Sequence, residues 1–259
     1  MIAILAAGVL SPFFFEAAPE VRSSYVSLGK LVEDRPMQIT SVRAGYDADR
    51  FGRFGVRNWD VSSLTDRRHD AHRHALYHTE FGLTWQYDMK LFDSWTLRSD
   101  VSRSWTMYRG FDNRASDRTY HWWQIEQELV NPYLVPFYRL RKCFRGNDYV
   151  YFKIGAKKRL AFLEDFYLTP SVYAEGGSHR NYKRVIGNRP NGERWHSGVS
   201  SVTFRLELGW SICENVSAFV FAEQYEAVEQ AVRRATESSS YRCAHKDWTL
   251  GGVGCRIRF

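Results

Sequence analysis

The chain has 259 residues, with 36 Lys and Arg against 29 Asp and Glu, a formal charge of +7 and 16% aromatic residues. Its ordinary Gly and Pro content excludes a collagenous or disordered chain. The longest uncharged run, residues 1–15, is shorter than the ~20 apolar residues of a transmembrane helix. The bases form only short spots, such as Arg67-Arg68 and Lys157-Lys158-Arg159, so nucleic acid is not an expected partner.

The opening, MIAILAAGVLSPFFFEAAPE, is almost wholly apolar over residues 2–15 and then carries the small pair Ala17-Ala18. This resembles the apolar core and cleavage zone of a secretory leader, although no Lys or Arg precedes it. The expected organisation is a signal peptide over residues 1–18 and one domain over 19–259.

From there the chain alternates. Tyr77, Thr79, Phe81, Leu83, Trp85 and Tyr87 share one face against His78, Glu80, Gly82, Thr84 and Gln86. Val202, Phe204, Leu206, Leu208, Trp210 and Ile212 stand against Thr203, Arg205, Glu207, Gly209 and Ser211. Period two over such lengths is a two-faced strand. The pattern predicts twelve strands, at 24–32, 38–46, 53–61, 76–87, 95–107, 119–129, 134–142, 149–157, 166–175, 199–212, 216–226 and 247–259. Each has about the 9–11 residues needed to cross a bilayer.

Connections after the even strands are short (47–52, 88–94, 130–133, 158–165, 213–215), and the long ones follow odd strands (62–75, 108–118, 176–198, 227–246). Alternation alone also fits a soluble β-sandwich with charged faces outward. One-sided long loops, aromatics near strand ends (Trp85, Trp95, Trp105, Trp210) and a Phe-terminated last strand point instead to a membrane. The predicted fold is all-β: an antiparallel up-and-down transmembrane barrel of 12 strands with short periplasmic turns and long extracellular loops, in a bacterial outer membrane.

The final strand, DWTLGGVGCRIRF, puts Phe259, Ile257, Cys255 and Val253 on one face and Arg258, Arg256, Gly254 and Gly252 on the other. It resembles the terminal signal of outer-membrane barrels, which makes Phe259 the expected mark for the barrel assembly machinery.

Near the start, SSYVSLGKLVEDRPMQITSVRAGYD and then GRFGVRNWDVSSL resemble the opening of the TorF-like porin family. Tyr25, Val26, Gly29, Asp34, Pro36, Asn58, Trp59 and Asp60 carry the likeness. It implies an outer-membrane, pore-like barrel and supplies no functional residues.

With the charged faces turned inward, the expected lumen residues are Arg43, Arg57, Glu80, Arg98, Asp100, Glu126, Glu128, Arg139, Arg141, Lys153, Glu175, Arg205, Glu207, Arg256 and Arg258. Acids gather on strands four to six and most bases on the other arc, an arrangement expected to set up a transverse field. The expected function is passive diffusion of small polar or anionic solutes. The alternative is a plugged lumen, in an outer-membrane hydrolase or surface-binding barrel. For a hydrolase the candidates are His78 with Glu80 and His121 with Ser104.

No cofactor or metal is expected. The four Cys lack CxxC spacing. His69, His72, His74 and His78 share a loop with Arg67, Arg68 and Arg73, which would repel a cation, and that loop reads as a basic surface facing lipopolysaccharide. Arg103 lies on the apolar face of its strand and is expected to reach lipid phosphate at the outer interface. Cys143 and Cys243, both on the long-loop rim, are expected to pair in an oxidising compartment.

Overall fold

The computed structural model describes residues 12–27, 30–33, 36–64, 77–109, 120–144, 148–181, 196–228 and 247–259. Among these, twelve strands form the wall: β1 (Phe13–Arg22), β4 (Met37–Asp47), β5 (Arg53–Ser63), β6 (Tyr77–Phe92), β7 (Trp95–Arg109), β8 (Tyr120–Val130), β9 (Val135–Cys143), β10 (Val150–Lys157), β12 (Phe166–Gly177), β13 (Gly198–Cys213), β14 (Val216–Ala227) and β15 (Asp247–Arg258). Each pairs antiparallel with the wall strand before and after it, and the pairing of β1 with β15 closes the sheet into a barrel. Two short elements lie outside this count: the hairpin β2 (Tyr25–Ser27) and β3 (Lys30–Glu33), and the two-residue β11 (Leu160–Ala161) beside β12.

One rim carries turns at 48–52, 93–94, 131–134, 158–165 and 214–215, and the other carries the longer connections. The side-chain period gives the wall two surfaces. On β13, Glu207 is 6% exposed between Leu206 at 49% and Leu208 at 40%. Phe54, Phe81, Leu83, Trp123, Ile125, Leu140, Ile154, Phe204, Trp210 and Val220 also stand exposed on the outside, while Glu80, Ser104, Gln124, Glu175, Thr203 and Glu223 are buried inside. An apolar exterior around a polar interior is the surface of a transmembrane barrel. It rules against a sandwich, whose core would be apolar.

One expectation about the start is corrected. The first wall strand is Phe13–Arg22, not 24–32. The opening assigned to a leader therefore contributes residues 13–18 to the wall, where Glu16 pairs across to Arg43 on one side and Arg258 on the other. The physical reason is that FFFEAAPEVR also alternates, with Phe14, Glu16, Glu20 and Arg22 on the face shared with the lumen. Of the TorF-like residues, Tyr25 and Val26 fall on the β2–β3 hairpin and Asn58, Trp59 and Asp60 on β5, while Gly29 and Asp34 lie outside the described residues.

The seam is completed at the chain end. Phe259 and Phe15 exchange two backbone hydrogen bonds, each 2.8 Å. A chain beginning at residue 12 should therefore form a heat-modifiable barrel in detergent, migrating differently on semi-native gels before and after boiling. A chain beginning at residue 19 should lose that shift, because β15 and β4 would face lipid with unpaired backbone groups. An undiminished shift in the shorter chain would contradict the seam.

Candidate functional site: the barrel lumen

All fifteen residues expected in the lumen lie on inward positions of the strand registers. Most line one of three cavities. One, about 540 Å³, sits toward the short-turn rim between β8 and β15 and holds Glu126, Glu128, Arg139, Lys153, Arg205, Glu207, Arg256 and Arg258. A second, about 420 Å³, lies toward the long-connection rim and takes Arg57, Glu80, Arg141 and Glu175 as well as Arg139, Lys153 and Arg205. The third, about 250 Å³, holds Arg43, Arg57 and Asp100. Arg139, Lys153, Tyr173 and Arg205 line both of the larger cavities and so form a waist between them. Arg98 lies lower, on the short-turn rim, in a fork with Asp88 at 2.9 Å.

The charges are not parted into acidic and basic arcs. They are interleaved, because inward positions pair across the wall, some between adjacent strands and others between strands two or three apart. Asp100 meets Arg43 at 2.9 Å and Glu126 meets Arg139 at 2.7 Å. Glu128 holds Lys157, and Glu175 lies 3.8 Å from Lys153. Arg256 grips Glu207 with two nitrogens, both at 2.8 Å, and Arg205 adds a contact at 3.0 Å. Glu223 lies between Arg205 at 3.4 Å and Arg22 at 3.5 Å and accepts the Tyr173 hydroxyl at 2.6 Å. Arg53 joins this network from the first position of the expected strand 53–61, and Glu16, Glu20 and Arg22 join it from a stretch read as leader or left unassigned. The signal that could have found Glu16, Glu20 and Arg22 was the alternation in FFFEAAPEVR.

Rings form a second layer of support. Guanidinium carbons lie over inward rings, Arg205 over Phe221 at 3.8 Å, Arg256 over Phe219 at 4.1 Å, Arg159 over Tyr167 at 3.7 Å and Arg141 over Trp122 at 4.7 Å. The Lys153 ammonium sits 3.3 Å from the Tyr173 centroid. Each such contact holds a cation in place without neutralising it. The rings in turn lie flat against the wall because glycine faces them. A Cβ on Gly209 would stand 2.0 Å from Tyr167, and one on Gly252 would stand 2.5 Å from Phe221. Gly-facing aromatics let the wall curve while keeping bulk out of the lumen.

The hydrolase candidates fare differently from each other. His121 and Ser104 point to opposite faces, since His121 pairs with Trp105 on the outside while Ser104 faces inward opposite Trp122. That pair is corrected. His78 and Glu80 do meet inside, 3.3 Å apart, with Arg57 and Arg141 each 4.0 Å from the carboxylate. The Ser104 hydroxyl accepts a hydrogen bond from Arg57 at 3.2 Å. His69, His72, His74 and Cys243 lie outside the described residues. Cys143 is buried beside Trp122, Tyr149 and Tyr151.

No protein-family model matches the chain, and no curated protein matches it. Solved structures do. The COG4313 outer membrane channel from Pseudomonas putida F1 aligns with a TM-score of 0.56 at 12% identity, over 98% of this chain and 100% of that one. The translocator domain of autotransporter NalP from Neisseria meningitidis aligns at 0.48 and 11% identity, over 98% and 90%. The chain has the fold of bacterial outer-membrane β-barrels. KdgM porin, solved in complex with disordered oligogalacturonate, aligns at 0.47 and 11% identity, over 95% and 99%.

Gly209→Val should force Tyr167 off the wall, breaking its contacts with Arg159 and Arg256, and destabilise the barrel by about 1–3 kcal/mol. Tyr167→Ala in the same chain should relieve most of that loss. Urea unfolding in detergent measures both, and strictly additive effects would contradict the ring-on-glycine packing.

Proposed function

We propose that the protein is an outer-membrane channel for passive diffusion of small polar solutes, with a preference for anions. The observation that carries this reading is the excess of bases in each of the three lumen cavities formed by the described residues. Seven bases face four acids in the 540 Å³ cavity, six face three in the 420 Å³ cavity and four face two in the 250 Å³ cavity. The acids are consumed by pairing, so the excess cations set the potential that a passing ion meets. Rings and carboxylates hold those cations against the wall, which leaves space between them.

Other features support the same assignment. The COG4313 channel shares the fold, and the opening resembles TorF-like porins. A terminal Phe on an amphipathic last strand suits recognition by the barrel assembly machinery. The hydrolase reading gains less: one histidine candidate faces away from its serine, and the other shares its carboxylate with two guanidinium groups. A lumen filled by its own ion pairs is the competing arrangement, and it conducts no ions.

Arg159 and Arg258 give the cleanest test, because neither has an acidic side-chain partner among the described residues. Neutralising them breaks no ion pair. In planar bilayers under a salt gradient, the reversal potential of the unaltered protein should report anion preference. For Arg159→Gln and Arg258→Gln the anion-to-cation ratio should fall, by up to roughly tenfold per charge for an ion passing at ~6 Å in a water-like dielectric, and by less in high salt. Cation preference, or no conductance at all, would refute the proposal.

A further inference from the structure

The outside of a transmembrane barrel is apolar at hydrocarbon depth, and one sector of this wall departs from that rule. Arg103 on β7 points outward, its guanidinium 5.2 Å from the Trp105 ring centre and 5.7 Å from that of Trp123. In the register Arg103 faces Trp123, and Trp123 faces Lys142 on β9. The two bases therefore flank one indole, with their backbones about 10 Å apart.

The wall is lowest beside this group. β9 and β10 have 9 and 8 residues, against 16 in β6 and 16 in β13. At ~3.3 Å per residue and ~40° tilt, β10 climbs about 20 Å and β6 about 40 Å, while the apolar band of such barrels is ~25 Å tall. The upper end of β9 thus stops at the level of the lipid headgroups, and Lys142 is its penultimate residue. Just above, Asp148 accepts from Lys142 at 2.5 Å and lies 3.5 Å from Arg180. The notch therefore holds three bases and one acid.

We propose that this notch binds the phosphate group of an anionic outer-leaflet lipid, held between Arg103 and Lys142 over the indole of Trp123. The chemistry suits a phosphate monoester. Arg103 offers a planar fork of N–H donors, and Lys142 keeps donors beyond the one that Asp148 takes. The faces of Trp105 and Trp123 offer apolar surface to the acyl chains below. An outward Arg costs ~2–4 kcal/mol at the bilayer midplane and ~0–1 near the interface, and a bound phosphate gives it a counter-charge at either depth. The inference rests on the transmembrane reading of the barrel.

The test uses the full chain folded in zwitterionic detergent, with the barrel verified by its heat-dependent gel shift. Micelles doped with lipid A are titrated in, and lipid retention is read by native mass spectrometry and tryptophan fluorescence. The unaltered protein should retain the lipid. The double variant Arg103→Gln, Lys142→Gln should keep the gel shift and bind about tenfold more weakly or worse, having lost two charge-assisted contacts. Lys90→Gln, on the opposite rim, should bind as the unaltered protein does. Equal retention by the double variant overturns the site, and so does an equal loss in Lys90→Gln, which would mean charge attraction without a site. Inorganic phosphate competing as strongly as lipid A overturns the lipid assignment in favour of a free anion. Absence of the gel shift in the unaltered protein would overturn the barrel reading and this inference together, whereas a shifted barrel that retains no lipid refutes the notch alone.

Discussion

At membrane depth no water is present to satisfy a backbone N–H or C=O, so a spanning sheet must have no free edge. In this protein that constraint is met at the seam between β1 and β15, finished by the exchange of two hydrogen bonds between Phe15 and Phe259. Once the sheet is closed, the two-residue period of each strand has only two places to point. Most apolar side chains go to lipid and most charged ones to the lumen, with Arg103 and Lys142 outside and rings such as Phe221 inside as exceptions. The polar interior is thus a consequence of closure rather than a separate feature.

Confining so many charges inside a barrel of this width raises a second requirement. Adjacent inward positions are close enough for ions to be neighbours, so like charges would repel unless acids were interleaved. Arg43–Asp100, Arg139–Glu126 and Arg256–Glu207 show how the wall meets it, each pairing across strands at hydrogen-bonding distance. The remaining cationic excess is steadied by aromatic faces, and those faces lie flat where Gly209 and Gly252 leave room. Pairing, stacking and glycine placement act together to keep long side chains along the wall. A channel needs that, because an unrestrained arginine can cross much of a narrow lumen.

Much of this could be read from the residues. The alternation in 77–87 and 202–212 is long and unmixed, so strand positions and inward faces there follow directly from period two. The opening was harder. In FFFEAAPEVR the apolar content is high, and only Glu16, Glu20 and Arg22 betray the alternation. Ion pairing was also hidden. A sequence lists inward residues strand by strand, whereas partners such as Arg22 and Glu223 meet only when closure brings distant segments together. The facing of His121 relative to Ser104 depended on register between strands, which composition does not carry.

The central claim is that the charged faces line a wet interior and the apolar faces meet lipid. Spin labels placed one at a time along β13, at 203 through 208 in liposome-reconstituted protein, test it directly. The account predicts that collisions with oxygen, which concentrates in lipid, peak at 204, 206 and 208, while collisions with a water-soluble nickel chelate peak at 203, 205 and 207. The opposite phase, or no two-residue period at all, would contradict it.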